Sequence, residues 1–215
     1  GIIDESELDA LEKPSIQRLG EDIRISEVLI PRDVIKHRIK RLATEIINDN
    51  PDAQKLNLIM VLTGAFMFAA DLSREIFNQG GPEIEFHPMK LSTYAKEIKA
   101  AGETTRDVEI QLDCAELKHH DIIIIEDIID QGFTLNELKK FLLTKKEVNS
   151  VKICTLLEKR LDNPSDEVKK IRTSLDINYV GFRIPDVWVA GYGIDSGEDF
   201  RHLPVIIAVN EKCYL

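Results

Sequence analysis

An α/β fold, with a parallel sheet flanked by helices on both faces, is predicted by three features of the chain. Short apolar runs alternate with helix-period segments through its middle. Runs such as IIII at 122–125 are continuous rather than alternating, which is how strands buried on both faces read. Gly80, Gly81 and Pro82 stop one helix-period segment, and Gly132 turns the chain out of the isoleucine run into the next.

Taken in order, residues 31–48 form a helix, because Ile35, Ile39, Leu42 and Ile46 recur at helical spacing. Arg32, Lys36, Arg38, Lys40 and Arg41 fall mostly on its other faces and read as a solvated basic face. LNLIMVL, 56–62, is a buried strand, followed by a helix over 65–77 that Gly80, Gly81 and Pro82 stop. A third strand is expected at 84–87. Residues 90–106 are polar, contain Gly102 and lack periodicity, so a long mobile loop is expected, with a strand at 108–112 beyond it. The isoleucine strand beginning at Ile122 leads into a helix over about 134–146, and VKICTLL, 151–157, is another buried strand. Short strands are expected at 179–184, 187–194 and 205–209. The two ends do not continue the alternation. One domain over 1–215 is therefore expected, with a core at about 31–175 and a small hood subdomain from about 1–30 and 176–215.

Composition narrows the function. With 43% hydrophobic and 31% charged residues, the chain has the balance of a globular protein and no apolar run of membrane-spanning length. A net charge of −10 opposes binding to a nucleic-acid backbone. The amino end GIIDESELDALEKPS is acidic and lacks the basic start and apolar core of a secretory signal. Cys114, Cys154 and Cys213 lack zinc-site spacing, so reduced thiols and a cytoplasmic location are expected. His119 and His120 lack supporting ligands at helical spacing and read as a loop pair.

The most informative segment is DIIIIEDIIDQGFTL, 121–135. Glu126 and Asp127 emerge near the carboxyl end of a parallel-type strand, where open α/β sheets bind ligands, and are candidates to hold a sugar hydroxyl or a metal. Asp130 follows. Gly132 permits the positive φ of a tight turn and Thr134 stands where a helix begins, so successive N–H groups can converge on a phosphate. Neither a GxxxxGK nor a GxGxxG motif is present.

EDIID followed by QGFT closely resembles the phosphoribosyl-pyrophosphate signature of the type I phosphoribosyltransferases, in the form used by their hypoxanthine-guanine branch. The resemblance extends over about 28–203 and also implies the hood. VLTGAFMFAADL, 61–72, is similar to the family's pyrophosphate loop, with Thr63 and Gly64 in the loop and Thr63 where many relatives carry lysine. KLSTY, 90–94, resembles the start of the family's flexible loop, with Thr93 in place of the usual serine before Tyr94. In LLEKR, Lys159 matches the lysine that meets the purine's exocyclic oxygen, and an ammonium, having donors only, favours a 6-oxopurine over adenine. In GFRIPDVWVAGYGIDSGEDFRHLP, Trp188 matches the stacking aromatic and Val189 the residue whose backbone reads the base edge. Asp195 matches a carboxylate of a second metal site, and Arg201 an arginine that meets pyrophosphate.

What the resemblance implies is transfer of the 5-phosphoribosyl group to N9 of hypoxanthine, guanine or xanthine, with Mg²⁺ as cofactor and a homodimer or homotetramer as the assembly. Asp130 would take the proton at purine N7 as general base. Glu126 and Asp127 would hold the ribose hydroxyls directly or through metal, and Gln131, Gly132, Phe133 and Thr134 would cradle the 5′-phosphate. Gln131 and Phe133 replace the threonine and lysine common in the family, and backbone cradling survives such changes. A non-catalytic sensor of nucleotide or phosphoribosyl pyrophosphate on the same fold is the alternative; retention of Asp130 and the acidic charge favour the enzyme. An aspartate-nucleophile phosphatase needs acids two residues apart, whereas Asp127 and Asp130 are three apart.

Overall fold

The continuous apolar strands of the sequence become the centre of a sheet whose two faces are both covered. The computed structural model describes residues 19–95, 106–112 and 117–214. In chain order it contains β1 (Ile25–Ile30), α1 (Arg32–Asn48), β2 (Lys55–Leu62), α2 (Phe66–Asn78), β3 (Glu83–Ala95), β4 (Arg106–Leu112), β5 (Asp121–Ile129), α3 (Phe133–Lys145), β6 (Ser150–Lys159), α4 (Asp166–Leu175), β7 (Tyr179–Ile184), β8 (Val189–Ala190), β9 (Ile206–Val209) and a 3₁₀ turn at Glu211–Cys213. The large sheet has the order β4-β3-β2-β5-β6-β7, parallel throughout except for the antiparallel edge pair β3–β4.

Period-two alternation divides each central strand between two cores. Leu58, Ile123 and Ile125 join a cluster with Ile35, Leu42 and Ile46 of α1 and Phe68 and Leu72 of α2. Their neighbours Ile59, Ile122 and Ile124 join a second cluster with Leu135, Leu138 and Leu142 of α3 and Leu175 of α4. Four consecutive isoleucines thus serve both faces, two each, and the predicted sheet with helices on both faces is the fold observed. A smaller antiparallel sheet, β1-β9-β8, carries its own apolar cluster of Ala190, Phe200, Leu203, Val205, Ile207 and Val209.

Several expectations change. Tyr179–Ile184, anticipated among the hood strands, instead pairs in parallel with β6 and closes the large sheet. Of the strand expected at 187–194, only Val189 and Ala190 form a strand, while Gly191 and Ile194 bridge to each other across a turn. Residues 90–95, read as loop, continue β3, because the β4 backbone supplies antiparallel partners from Met89↔Leu112 to Ala95↔Arg106. Thr93 and Tyr94, resembling the start of a flexible loop, therefore have strand backbone, while the rest of that loop, 96–105, lies outside the described residues. The hood's 1–18 and Cys114 also lie outside them.

Arg38 corrects the solvated-face reading of α1. It is 1% exposed, and its Nε and Nη2 donate to the carbonyls of Gly181 (3.0 Å) and Val180 (2.7 Å), while Glu45 pairs with Nη1 at 2.7 Å. Helix α4 was not anticipated. Ser165 caps it by accepting the Val168 N–H at 3.3 Å, and Asp166 and Glu167 complement the dipole of its first turn.

At the opposite end of the sheet from the carboxyl edges, His87, Asn57 and His120 form a hydrogen-bonded chain. The His87 Nε2–H donates to Asn57 Oδ1 at 3.1 Å, and Asn57 Nδ2 donates to His120 Nδ1 at 3.2 Å. Burial holds the His87 imidazole below its ordinary pKa, outweighing the opposing charge of Glu85. The unfolded chain therefore takes up this proton more readily than the folded one, so stability falls as pH drops from about 6.5 through the folded value. The loss of thermal midpoint between pH 7 and pH 5.5 is expected to be smaller in His87→Gln than in the wild type. Equal losses, measured by differential scanning calorimetry, would refute this assignment.

Candidate active site

Three strands deliver their carboxyl ends to one edge of the sheet: Thr63 and Gly64 follow β2, Glu126, Asp127 and residues 130–134 stand at the end of β5, and Lys159 ends β6. After β2, Thr63 is exposed and Gly64 follows in the turn into α2, with the Ala65 N–H bonded to Val61 O at 3.2 Å and the Phe66 N–H to Thr63 O at 3.1 Å. The Leu62–Thr63 peptide is cis. A Cβ on Gly64 would lie 1.6 Å from Asp127 Oδ2, so the carboxylate of β5 packs directly on the glycine backbone. A Cβ on Gly193 would likewise sit 2.2 Å from Gly64 O, which brings the 191–197 turn onto the same point. Both positions admit only glycine without displacing backbone or Asp127.

Glu126 and Asp127 retain partial contact with solvent, yet the surrounding protein removes much of the water that would stabilise their charges. Burial, followed by the Asp127 charge and a side-chain hydrogen bond with Asp127, raises Glu126 well above the carboxylate range. Asp127 is also raised by burial, opposed by its bond with Glu126, by the Ile128 N–H donating at 2.8 Å and by the charge of Arg201. Two carboxylates this close and this poorly hydrated disfavour the doubly charged state, a cost that a cation or hydroxyl donors would relieve.

Beyond them the chain makes the predicted turn. Gly132 has φ of 85° and forms the N-cap of α3 without a side-chain hydrogen bond, leaving the first N–H groups of the helix for an external acceptor. A cavity of about 470 Å³ lies in front, lined by Val61, Leu62, Glu126 and the whole segment 128–135. Gln131, Gly132, Phe133 and Thr134 therefore face one space, with Gln131 exposed.

Lys159, at the end of β6, lies 3.4 Å from Asp130 Oδ2 and 3.6 Å from Asp186 Oδ1. Trp188 is 37% exposed and lies beside Tyr214, with ring centroids 5.2 Å apart. Val189 is buried in β8. Arg201 bridges the 191–197 turn, donating to Gly193 O at 2.9 Å and pairing with Asp195 Oδ1 at 2.9 Å. Through Gly193 it shares the Gly64 corner with Asp127. Two groups thus emerge, one at Gly64, Asp127, Asp195 and Arg201, and a second at Asp130, Lys159 and Asp186, with Trp188 two residues beyond Asp186.

Asp186, Tyr214 and Arg172 escaped the sequence reading. Asp186 follows Pro185 beside Trp188, a turn signal that could have drawn attention to it. Arg172 lies on the unanticipated α4, where only the Ser165-Asp166-Glu167 helix start was available as a sign. Among the described residues, no set of three His, Cys, Asp or Glu side chains gathers to enclose a metal ion.

Known proteins resemble this chain in sequence and fold. A hypoxanthine phosphoribosyltransferase of Escherichia coli K12 is 40% identical over 182 residues, 84% of this chain and 93% of its own. A hypoxanthine-guanine phosphoribosyltransferase of Bacillus subtilis is 36% identical over 190 residues, 88% and 96% of the respective chains. A crystal structure of a hypoxanthine phosphoribosyltransferase from Staphylococcus aureus superimposes with a TM-score of 0.74 at 30% identity, covering 95% of this chain and all of that one. With the phosphoribosyl transferase domain model matching residues 31–196 and these relatives matching across most of their length, the chain belongs to the phosphoribosyltransferase family, in its hypoxanthine-guanine branch.

Proposed function

We propose that the protein transfers the 5-phosphoribosyl group of phosphoribosyl pyrophosphate to N9 of a 6-oxopurine, hypoxanthine first and guanine or xanthine by the same chemistry, for purine salvage. The observation that carries this reading is the pairing of Lys159 with Asp130 at 3.4 Å beside the uncapped start of α3. A donor-only cation and a carboxylate there suit the O6 and N7 of one purine, and the helix start suits the 5′-phosphate of the sugar it joins.

In the reaction the C1′–O bond to pyrophosphate breaks, its electron pair leaving with pyrophosphate, and a C1′–N9 bond forms. The purine proton passes to Asp130 at N7. Lys159 donates to O6, and Trp188 stacks on the ring, which fixes N9 toward the sugar. The N–H groups at Gly132, Phe133 and Thr134, with Gln131 at the mouth, hold the 5′-phosphate. Glu126 and Asp127 hold the ribose hydroxyls, while Thr63, Gly64 and Arg201 face pyrophosphate. The residues suit Mg²⁺, a hard cation commonly bound by one or two carboxylates plus substrate oxygens: the Glu126–Asp127 pair would hold one ion and Asp195 a second. When bound, Mg²⁺ neutralises charge developing on pyrophosphate. A cytoplasmic setting and a homodimer or homotetramer belong to the same proposal; light scattering on the purified protein checks the second.

The test is to incubate the protein with Mg²⁺, phosphoribosyl pyrophosphate and each purine in turn and to measure nucleotide. IMP from hypoxanthine is expected, with adenine inert. No product from any purine would overturn the enzymatic reading in favour of a nucleotide sensor.

A further inference from the structure

Arg172 of α4 lies at the joint between the two strands that carry Asp130 and Lys159. Its Nη1 donates to Ile129 O at 3.1 Å and also to Asp130 O. Its Nη2 donates to Lys159 O at 3.1 Å and to Glu158 Oε1 at 2.8 Å. The β5–β6 register ends at Ile129↔Glu158, and the next residues along each strand are Asp130 and Lys159. The guanidinium therefore acts where a further rung of the ladder would stand, taking carbonyls from both strands with a single planar group.

The group is itself fixed. Arg172 is largely buried, and Arg183 Nε holds the other Glu158 oxygen at 3.0 Å, so Glu158 is clamped between two arginines. Helix α4 is anchored by Lys139 Nζ donating to Leu175 O at 2.6 Å. A Cβ on Gly132 would lie 2.8 Å from Leu175 Cδ1 and 3.5 Å from Arg172 Cδ, so α4 also supports the turn beneath the phosphate-binding segment.

We propose that Arg172 is a positioning residue for the transfer reaction: by tying the Asp130 and Lys159 carbonyls together, it sets the spacing of the two side chains that meet the purine. This rests on the functional reading above. The contacts of Arg172 are with main-chain carbonyls and Glu158, so its effect passes through the segments that carry Asp130 and Lys159 rather than through the Gly64 corner.

The test compares the full-length wild type with Arg172→Ala, Arg172→Lys, Glu158→Gln and, as a control on the exposed side of α4, Lys169→Ala, whose partner is Asp166. For Arg172→Ala, kcat is expected to fall by roughly tenfold or more and the purine KM to rise several-fold, with a smaller rise in the phosphoribosyl-pyrophosphate KM because Leu175 still backs the Gly132 turn. Arg172→Lys, which keeps the charge but not the fork, should recover only part of the loss, and added guanidinium should partly restore Arg172→Ala. Glu158→Gln should show the same split more weakly, which keeps the test available if Arg172→Ala does not fold; Lys169→Ala should match the wild type. Kinetic constants within about twofold of the wild type in Arg172→Ala and Arg172→Lys, even with a lowered thermal midpoint, would reduce Arg172 to a structural role and overturn the proposal. A wild type that forms no nucleotide would instead overturn both this and the functional reading.

Discussion

Asp130→Asn is expected to lower turnover by roughly 10²–10⁴-fold, the range that loss of a general base produces. Asn is nearly isosteric with Asp and still reaches the purine edge, but it cannot accept and hold the N7 proton as the C–N bond forms. Its amide also meets Lys159 without charge, so the 3.4 Å ion pair is lost and Lys159 is left to Asp186 at 3.6 Å. Because the Asp130 side chain is 53% exposed and lies outside the apolar clusters, the fold should be unaffected. Phosphoribosyl-pyrophosphate binding should change little, since the α3 start and the Gly64 corner are untouched. Steady-state kinetics with isothermal titration of phosphoribosyl pyrophosphate separates the two effects; near-normal turnover would remove Asp130 from the role of base.

Gly64→Ala should be nearly as damaging for a purely geometric reason. The added methyl would lie 1.6 Å from Asp127 Oδ2 and 2.5 Å from its Cγ, distances at which something must move. The loop cannot retreat, because Gly193 is packed on the Gly64 carbonyl from the other side. Asp127 must therefore rotate away from the Ile128 N–H that it accepts at 2.8 Å, taking its carboxylate off the ribose hydroxyls it is proposed to hold. A displacement of about 1 Å in such a site costs on the order of 10²-fold in kcat/KM, here for phosphoribosyl pyrophosphate. A Gly64→Ala enzyme with wild-type kcat/KM for that substrate would show that Asp127 does not depend on this contact.

Much of this site was legible because strand periodicity and turn chemistry are local. The isoleucine run had to be buried on both faces, so Glu126 and Asp127 had to emerge at a carboxyl edge, and Gly132 had to turn the chain into α3. The conversion of Lys90–Ala95 from loop to strand was not legible, since its hydrogen bonds come from β4 and its sequence carries no apolar alternation. The burial of Arg38 was equally hidden: its acceptors are Val180 O and Gly181 O, far along the chain, and only the docking of β7 brings them to α1. Arg172 escaped notice because α4 itself was not anticipated, and nothing in DEVKKIRTSL tells which of its cations will find two strand ends beneath it.

The chain's own pattern was enough for the α/β architecture, the order of the chemical groups along it and the glycine turn proposed to meet a sugar phosphate, since these follow from periods of two and 3.6 and from the backbone freedom of glycine. Only the tertiary structure decided that β7 closes the core sheet, that Gly64, Asp127 and Gly193 leave no room for one another's side chains, and that Arg172 joins Asp130 to Lys159. Those contacts link residues far apart in sequence, and a carbonyl or a glycine backbone that serves as partner leaves no mark in the side-chain pattern.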